Sequence, residues 1–246
     1  MKIDNKSFWE KSTIIATQEV LQQASDFELY LFDEAKKRTP SIIQNIKIFG
    51  CGTGREIHPA ATFFNPQYIL ASDISENMIL KCQENLEKWG IATITETVVA
   101  DAVVLNQPRE SFQLVTLLNS MLTYVPQHES RLQIMRNAYE LLVPGGQFIG
   151  VVHHQIGSPM KTVYFRLRSL FRPFLGVKVG NRMTGFNGFQ VPGYYYAVAD
   201  LKKDLLVSGF KKVVILSLEE FYHQKGQPYN RKTGYNNLIF IATKPE

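Results

Sequence analysis

The chain has 246 residues, of which 45% are hydrophobic and 20% charged, with a formal charge of +5. These values are ordinary for a globular protein and argue against a disordered chain. No apolar run reaches the roughly 18 residues of a membrane span, and the N-terminus lacks the apolar stretch of a signal peptide. With Cys51 and Cys82 as the only cysteines, no disulfide framework is expected, and we predict a single-domain cytoplasmic protein.

Helical and strand patterns alternate along the chain up to His154. Residues 7–38 repeat apolar side chains every three or four positions, which predicts helix. Residues 42–50, IIQNIKIFG, form a β-branched run that predicts a buried strand ending at Gly50. The further predicted strands are 67–73, 94–101, 112–120 and 147–154, and the predicted helices between them are 55–63, 75–90 and 129–146.

The predicted strands are apolar along most of their length, which is typical of parallel strands covered by helices on both faces. The regular alternation stops after His154, and residues 155–196 show no clear period. A helix at 198–210 and two strands at 211–221 and 236–244 are predicted beyond them. We therefore expect an α/β fold built on a doubly wound, mostly parallel sheet.

Three glycines, Gly50, Gly52 and Gly54, follow the first strand in the segment FGCGTGRE. Glycine destabilises regular elements, so such a cluster indicates that a ligand approaches the backbone closely. In doubly wound sheets, ligands bind beyond the carboxyl ends of the strands, where this turn lies. The spacing is GxGxG, whereas dinucleotide sites use GxGxxG with a pyrophosphate at an open helix N-terminus.

Polar side chains also end the next three strands, at Asp73, Asp101 and Asn119. The carboxylate of Asp73 can accept hydrogen bonds from both hydroxyls of a ribose, and Asp101 can accept one from an adenine amino group. Each acid alone could instead cap the helix that follows it. The glycine turn and the two acids at successive strand ends together favour a nucleoside site.

The segments that carry these residues resemble the successive motifs of the class I S-adenosylmethionine-dependent methyltransferases. The resemblance covers about residues 40–155 and fits the end of the chain. It implies a seven-stranded Rossmann-like sheet with an antiparallel last strand, S-adenosylmethionine as the cofactor and S-adenosylhomocysteine as its product. The motifs are IKIFGCGTGRE, ILASDISENMI, VADAVVL, SFQLVTLLNSMLTYV and AYELLVPGGQFIGV.

The same resemblance implies roles for the site residues. The glycine turn passes the methionine part of the cofactor, Asp73 binds the ribose hydroxyls, and Asp101 borders the adenine. The family often has an acid two residues before its first glycine, where this chain has Ile48, so Glu56 or a backbone carbonyl is expected to replace it. The implied cofactor contacts are Gly50, Cys51, Gly52, Thr53, Gly54, Asp73, Ile74, Met78, Asp101, Ala102 and Asn119.

Several methyltransferase subclasses lack their motifs in this chain. The segment NSML after the fourth strand has no proline-containing motif like that of the nucleic-acid amino methyltransferases. It also lacks the acidic ligands of the metal-dependent catechol enzymes. We therefore expect no metal, no nucleic-acid substrate and a small-molecule acceptor. A nitrogen acceptor is slightly favoured over oxygen because no strong oxygen base stands out, and an O-methyltransferase is the alternative.

The acceptor side of the site is expected after the fifth strand. His153 and His154 follow that strand directly, and either could take a proton from the nucleophile or form a hydrogen bond on the pocket wall. Tyr124, after the fourth strand, is a further candidate to position the nucleophile. These three residues are the predicted catalytic candidates.

The basic and aromatic segment 155–196 is expected to form a lid or substrate element. Its aromatic side chains could line a pocket or cover an apolar patch. The stretch FRLRSLFRPFLG could instead lie on a membrane as a basic amphipathic face, a less favoured interpretation that would suit a lipophilic quinone. The aromatic candidates are Tyr164, Phe165, Phe186, Phe189 and Tyr194–Tyr196.

The expected organisation is a single methyltransferase domain of four parts. An N-terminal helical cap (1–40) precedes the cofactor-binding core (41–154), the lid (155–196) and a closing helix with two strands (197–246). A regulatory protein that binds the cofactor without turnover is the non-enzyme alternative. The oligomeric state is not predicted.

Overall fold

The computed structural model describes residues 5–11, 23–105, 107–186, 189–230 and 236–246. The predicted helix at 7–38 is not continuous among them, because Ser25 begins a new helix; its part at 12–22 lies outside the described residues. The helices are α1 Asn5–Trp9, α2 Asp26–Arg38, α3 Ile57–Phe64, α4 Glu76–Trp89, α5 His128–Leu141, α6 Pro159–Leu170, α7 Arg172–Leu175, α8 Val198–Val207 and α9 Leu218–Gln224.

Seven of the nine described strands form one sheet, in the order β3-β2-β1-β4-β5-β9-β8. Strand β9 pairs antiparallel with both neighbours, and the other six strands run parallel to one another. This is the Rossmann-like methyltransferase arrangement expected from the sequence. The strands are β1 Asn45–Phe49, β2 Tyr68–Asp73, β3 Thr95–Val99, β4 Phe112–Leu117, β5 Leu142–His153, β6 Asn181–Phe186, β7 Phe189–Tyr194, β8 Lys211–Ser217 and β9 Asn237–Thr243.

Local signals account for the bounds of the helix that follows β2. The hydroxyl of Ser75 accepts a hydrogen bond from the Met78 backbone N–H at 3.1 Å, which caps the first turn of α4. Gly90 ends the helix with a φ of 69°, the left-handed conformation that glycine adopts without strain. Both ends lie where the sequence places them.

The two faces of the sheet bury separate apolar layers. On one face, α2, α3 and α4 pack through residues such as Phe32, Ile57 and Ile79. On the other face, α5 and α8 pack through Ile134 and Leu201. Burial of side chains of this size stabilises the fold by about 2 kcal/mol each, so the carboxyl edge of the sheet has a rigid base.

Two predicted elements end elsewhere in the structure. Strand β8 stops at Ser217, and LEEF begins helix α9, because the Ser217 backbone N–H donates to the Glu220 carboxylate at 2.7 Å in a capping box. Helix α5 ends at Leu141, and β5 begins at Leu142, before the glycine pair that was expected to close the helix.

The segment after β5 forms α6, α7 and the β6–β7 hairpin. It returns to the sheet through the Tyr196 backbone N–H, which donates to the His153 carbonyl at 2.8 Å. The hairpin packs on the 3-10 turn Met121–Tyr124. The irregular region of the sequence is therefore a structured insertion at the carboxyl end of β5. Of the helices in the described ranges, none combines the length and apolarity needed to cross a membrane.

Candidate active site

The glycine turn between β1 and α3 has the left-handed backbone that its sequence suggests. Gly50, Gly52 and Gly54 have φ values of 62°, 54° and 95°. A Cβ on Gly50 would lie 2.8 Å from Met121 Cγ, and one on Gly54 would lie 3.0 Å from Cys82 Sγ. A Cβ on Gly52 would meet nothing within 4 Å. The outer glycines are thus packed against protein, and the middle one borders open space that a ligand can fill.

The carboxylate of Asp73 joins the glycine turn to the start of α4. Its Oδ2 accepts a hydrogen bond from the Gly52 N–H at 2.9 Å, and its Oδ1 accepts one from the Ser75 N–H at 3.0 Å. Burial raises the pKa of Asp73 above its ordinary value, although these backbone hydrogen bonds oppose the rise. The carboxylate keeps acceptor capacity for a further donor, which suits a ribose hydroxyl.

Asn119 ties the end of β4 to the same turn. Its Nδ2 donates to the Gly50 carbonyl at 3.1 Å, and its Oδ1 accepts from Arg55 Nε at 3.2 Å. The guanidinium of Arg55 in turn pairs with buried Glu28 at 2.5 Å. Burial acts to raise the pKa of Glu28, but the hydrogen bonds and charge of Arg55 outweigh it and hold that pKa below its ordinary value. Helix α2 is thereby anchored to the turn.

At the position where the family often has an acid, this chain has an apolar residue of the hydrophobic core. Ile48 is fully buried in the core. Glu56 lies against β4, where it accepts hydrogen bonds from Thr116 Oγ1 at 2.8 Å and from the Leu118 N–H at 3.2 Å. Burial raises the pKa of Glu56 to about 7. Asn119 and Asp73 make hydrogen bonds to the glycine turn, whereas the Glu56 carboxylate is bonded to Thr116 and Leu118 instead.

The residues expected around the adenine lie beyond β2 and β3. Asp101 is exposed, and its Oδ1 accepts from the Val103 N–H at 3.0 Å. The Ala102 carbonyl accepts from Asn137 Nδ2 at 2.8 Å, which fixes this loop on α5. Ile74 is half-buried beside Asp73, whereas Met78 packs in a cluster with Phe8, Tyr124 and Val191.

Cys51 and Thr53 turn their side chains into the protein. Both are buried, and hydrogen bonding to Cys82 together with burial raises the pKa of the Cys51 thiol. The Thr53 carbonyl accepts from Asn85 Nδ2 at 2.9 Å. Contact between these two residues and a ligand would therefore come from their backbone.

The N-terminal helix α1 lies next to the nucleoside side of the site. The carboxylate of Glu10 accepts hydrogen bonds from the Glu76 N–H at 2.9 Å and the Asn77 N–H at 3.3 Å, at the start of α4. The Trp9 ring meets the Tyr124 ring edge-on at a centroid distance of 5.1 Å. The segment SFWE thus covers this end of the site.

A row of ring contacts runs from the turn after β4 to the inserted segment. Tyr124 meets His153 at a centroid distance of 5.9 Å, and His153 meets Tyr195 at 5.2 Å. Tyr195 then contacts Phe165 of α6 at 5.4 Å. Two of the predicted catalytic residues, Tyr124 and His153, are therefore neighbours, although 29 positions separate them in the chain.

A cavity of about 730 Å³ lies where this row ends, beyond β5 and beside α9. The third catalytic candidate, His154, lines it. His154 is 5% exposed, and its Nδ1 is buried without a hydrogen-bond partner among the described residues. The remaining lining residues are Gln155, Ile156, Thr162, Phe165, Arg166, Ser169, Leu170, Ala197, Val198, Ser217, Glu219, Glu220 and Asn236.

Both histidines are neutral at physiological pH. Burial lowers the pKa of His153 to about 4, and the charge of Lys161 adds to the effect. Burial and Lys161 likewise lower the pKa of His154 to about 4, with Glu220 and Glu219 opposing. Lys161 is itself buried, which lowers its pKa to about 8.

Two aromatic residues expected to line a pocket lie in the core instead. The Arg131 guanidinium lies 3.5 Å from the Tyr194 ring centroid, and Arg131 Nε donates to the Tyr196 hydroxyl at 3.0 Å. Both tyrosines pack with α5 and α8. Tyr164 is at the surface, and the side chains of Phe186 and Phe189 lie outside the described part of the structure.

The residues around the glycine turn fit the cofactor that the sequence resemblance implies. The open face at Gly52 leaves room for a ligand at the backbone, and the Asp73 carboxylate stands beside it as a diol acceptor. In the described ranges, no group of three or more His, Cys, Asp or Glu side chains is arranged to hold a metal. The prediction that no metal is used stays a prediction.

Glu28 and Arg55 are the residues of this region that were not identified from the sequence. Ser25 and Glu28 have the S-x-x-E spacing of a capping box, which would have located the start of α2. The ion pair itself joins residues that are 27 positions apart, and no local pattern predicts it.

Comparison with known proteins points to one class. Residues 48–146 match the model of a family described as a methyltransferase domain. No curated protein matches the chain. The CcbJ methyltransferase of Streptomyces caelestis aligns with a TM-score of 0.68 at 15% identity, covering 99% of this chain and 100% of that one. A methyltransferase of Methanosarcina mazei described as SAM-dependent aligns with a TM-score of 0.63 at 19% identity, over 92% and 99% of the two chains. At such identities the structural likeness shows the fold.

Proposed function

Residues 48–146 match a family of methyltransferase domains, and from this premise we propose that the chain is an S-adenosylmethionine-dependent enzyme that methylates an amine nitrogen of a small molecule. The acceptor would occupy the cavity beyond β5, with its nitrogen beside His154. When bound, the cofactor supplies a methyl group already activated on sulfur, so the protein has mainly to position the acceptor.

The weak basicity of the two histidines supports nitrogen over oxygen. A hydroxyl has to lose its proton to a base as it attacks, and a base acts best when its pKa lies near the working pH. His153 and His154, with pKa values of about 4, are poor proton acceptors at neutral pH. A neutral amine already has a free lone pair and needs only to be oriented.

His154 is suited to that orienting role. His154 lines the cavity and its ring is uncharged, so a ring nitrogen would be able to accept a hydrogen bond from an N–H of the acceptor. We therefore replace the proton-acceptor role considered from the sequence with a positioning role. His154 on the cavity wall is the observation that carries the assignment.

The cavity wall supplies further recognition for an amine. Glu219 and Glu220 line it and bring negative charge, although Glu220 also caps α9. Phe165 and Ile156 provide an apolar surface on the same wall. A neutral amine becomes positively charged as it takes the methyl group from sulfur, so the acids would stabilise the charge that develops on its nitrogen, and the apolar side chains would hold its skeleton.

The cofactor part of the proposal is tested by calorimetric titration with S-adenosylmethionine, S-adenosylhomocysteine and NAD. We expect micromolar binding of the two sulfur compounds and none of NAD. Asp73→Asn should weaken binding by about tenfold, since it replaces a charged acceptor beside the ribose. The matched control is Asp33→Asn, an exposed acid on α2 that pairs with Lys37. Equal affinities in both variants would contradict the ribose assignment.

The acceptor part is tested with pairs of compounds that share a skeleton and differ only in an amine or a hydroxyl. Transfer of an isotope-labelled methyl group from S-adenosylmethionine is measured for each pair. We expect transfer to the amines. Transfer only to the hydroxyl partners would establish an O-methyltransferase, and cofactor binding with no transfer to any acceptor would favour the regulatory alternative.

A further inference from the structure

An apolar stripe runs along the outer side of α6 and α7. Its members are spaced three, four, three and four residues apart, so they share one side of a helix. They lie opposite Phe165, which is 2% exposed and faces the protein. The stripe, here called the α6–α7 face, consists of Met160, Val163, Leu167, Leu170 and Phe174, with Phe171 beside it.

The α6–α7 face is unusually exposed for side chains of this kind. Met160 is 85% exposed and Phe174 is 88% exposed. Contiguous apolar patches on a protein surface mark sites that bind another surface. Because the inner side of α6 already packs on the protein, the outer apolar side chains do not serve the core.

The charged residues of the chain segment that forms this face all have the same sign. From Leu141 to Ala199 the chain contains six Lys and Arg residues and no Asp or Glu. Arg166, Arg172 and Lys178 are exposed, although Arg172 also pairs with Asp200. The other three cations, Lys161, Arg168 and Arg182, contact rings or backbone carbonyls of the insertion.

From this arrangement we infer that the α6–α7 face binds a membrane surface containing anionic lipids. Apolar side chains on one side of a helix with cations at its flanks are the features of interfacial helices, whose apolar side enters the headgroup boundary. A second copy of the chain would bring the same cations to the same interface, where they repel, so a two-fold dimer through this face is disfavoured.

The acceptor cavity opens beside this face. Arg166 and Leu170 belong to the cavity lining and are also exposed on the outer surface of α6. Docking would therefore place the mouth of the cavity at the lipid surface, which suits an acceptor that partitions into membranes. This last step rests on the proposed function, whereas membrane binding does not.

Flotation of the full chain with lipid vesicles tests the inference. We expect binding to vesicles of phosphatidylcholine with about 30 mol% phosphatidylglycerol, weak binding to phosphatidylcholine alone, and release as salt rises to about 0.5 M. The double variant Leu167→Ser and Leu170→Ser should bind about tenfold more weakly. Arg166→Gln with Lys178→Gln should remove the preference for anionic lipid.

A matched control exists on other surfaces of the molecule. Ile42 and Leu80 are 77% and 53% exposed, close to the 74% of Leu170 and the 55% of Leu167. The double variant Ile42→Ser and Leu80→Ser should bind vesicles like the original chain. Equal loss in both double variants, or no binding by the original chain, would overturn the inference.

Two further measurements separate the remaining outcomes. Sedimentation velocity without lipid detects self-association; a dimer that Leu167→Ser with Leu170→Ser dissociates would mean that the face binds a second copy and not a membrane. Titration of the same variants with S-adenosylmethionine should give unchanged affinity. If the original chain binds S-adenosylmethionine but does not bind the vesicles, the membrane inference is overturned and the proposed function stands.

Discussion

The two halves of the carboxyl edge of the sheet are built differently. Over β1, β2 and β4, the glycine turn, Asp73 and Asn119 are joined by direct hydrogen bonds to the backbone. Over β5 and β8, the cavity is lined by side chains from distant segments, among them His154 with an unpartnered nitrogen in the described structure. The first half is organised before a ligand binds, and the second is the half in which the proposed function places the acceptor.

This difference matches what each half has to recognise. The cofactor half binds one fixed molecule, so backbone geometry and a charged diol acceptor serve it well. Under the proposed function, the acceptor half would hold a nucleophile at the right distance and angle, which depends on cavity shape and on few polar groups. A substitution in one half should therefore leave the ligand affinity of the other half unchanged.

The largest effect is expected for Gly52→Ala. A methyl group there enters the open space at the glycine turn, where the cofactor would lie, and should weaken S-adenosylmethionine binding by about 100-fold. Gly90→Ala is the matched control, because Gly90 also has a positive φ and open space around it but lies at the end of α4. Both variants should lose about 1 kcal/mol of stability, and similar cofactor affinity in the two would refute the open-face assignment.

Glu28→Gln tests how the cofactor half is anchored. It leaves Arg55, which is only partly exposed, without its ion-pair partner, and we expect a loss of about 2 kcal/mol in the free energy of unfolding. Denaturant unfolding measures the change. Asp33→Asn on the exposed side of the same helix should change stability by less than about 0.5 kcal/mol, and a similar loss there would mean that α2 is sensitive throughout.

The next effect in size is expected in the pH dependence of the free energy of unfolding. It should have opposite signs for His154 in the acceptor half and Glu56 in the cofactor half. The folded pKa of about 4 for His154 lies below its ordinary 6.5, so the unfolded chain binds more protons between these values. This contribution to stability is present above pH 6.5 and falls as the pH drops from 7 to 5, by about 1.5 kcal/mol. His154→Gln should remove its part of the fall, and a similar part that is due to His153, whose pKa is also about 4, should remain.

Glu56 works in the opposite direction in the same pH range. Its pKa of about 7 is raised above the ordinary 4.5, so its contribution to stability increases as the pH falls through this range. Glu56→Gln should therefore steepen the loss of stability toward pH 5, and denaturant unfolding at pH 7, 6 and 5 measures both variants. A His154→Gln chain with the original slope would show that His154 is not buried in neutral form.

The smallest effect is expected for His154→Phe on turnover. Loss of one neutral hydrogen bond to the acceptor should lower kcat by about fivefold, with S-adenosylmethionine affinity unchanged. His154→Gln keeps an acceptor atom and should recover part of the rate. A change in cofactor affinity of the same size as the change in kcat would mean that the two halves are not independent.

Features set by local rules were predictable from the sequence. The cap at Ser75, the end of α4 at Gly90, the glycine turn and the alternation of strands and helices up to His154 all follow from periodicity, capping and the conformational freedom of glycine. The resemblance to the methyltransferase motifs in turn implied S-adenosylmethionine as the cofactor. These features depend on a few neighbouring residues, so they can be predicted without knowledge of the fold.

Only the tertiary structure decided the rest. It brought Glu28 to Arg55 and placed Glu56 against Thr116, which removed it from the glycine turn. It buried Tyr194 and Tyr196 in the core and left Leu167 and Leu170 facing outward. Such outcomes depend on which distant segments meet when the sheet closes. The charge, burial and pKa of each side chain are set by those neighbours, and residue type and spacing alone do not specify them.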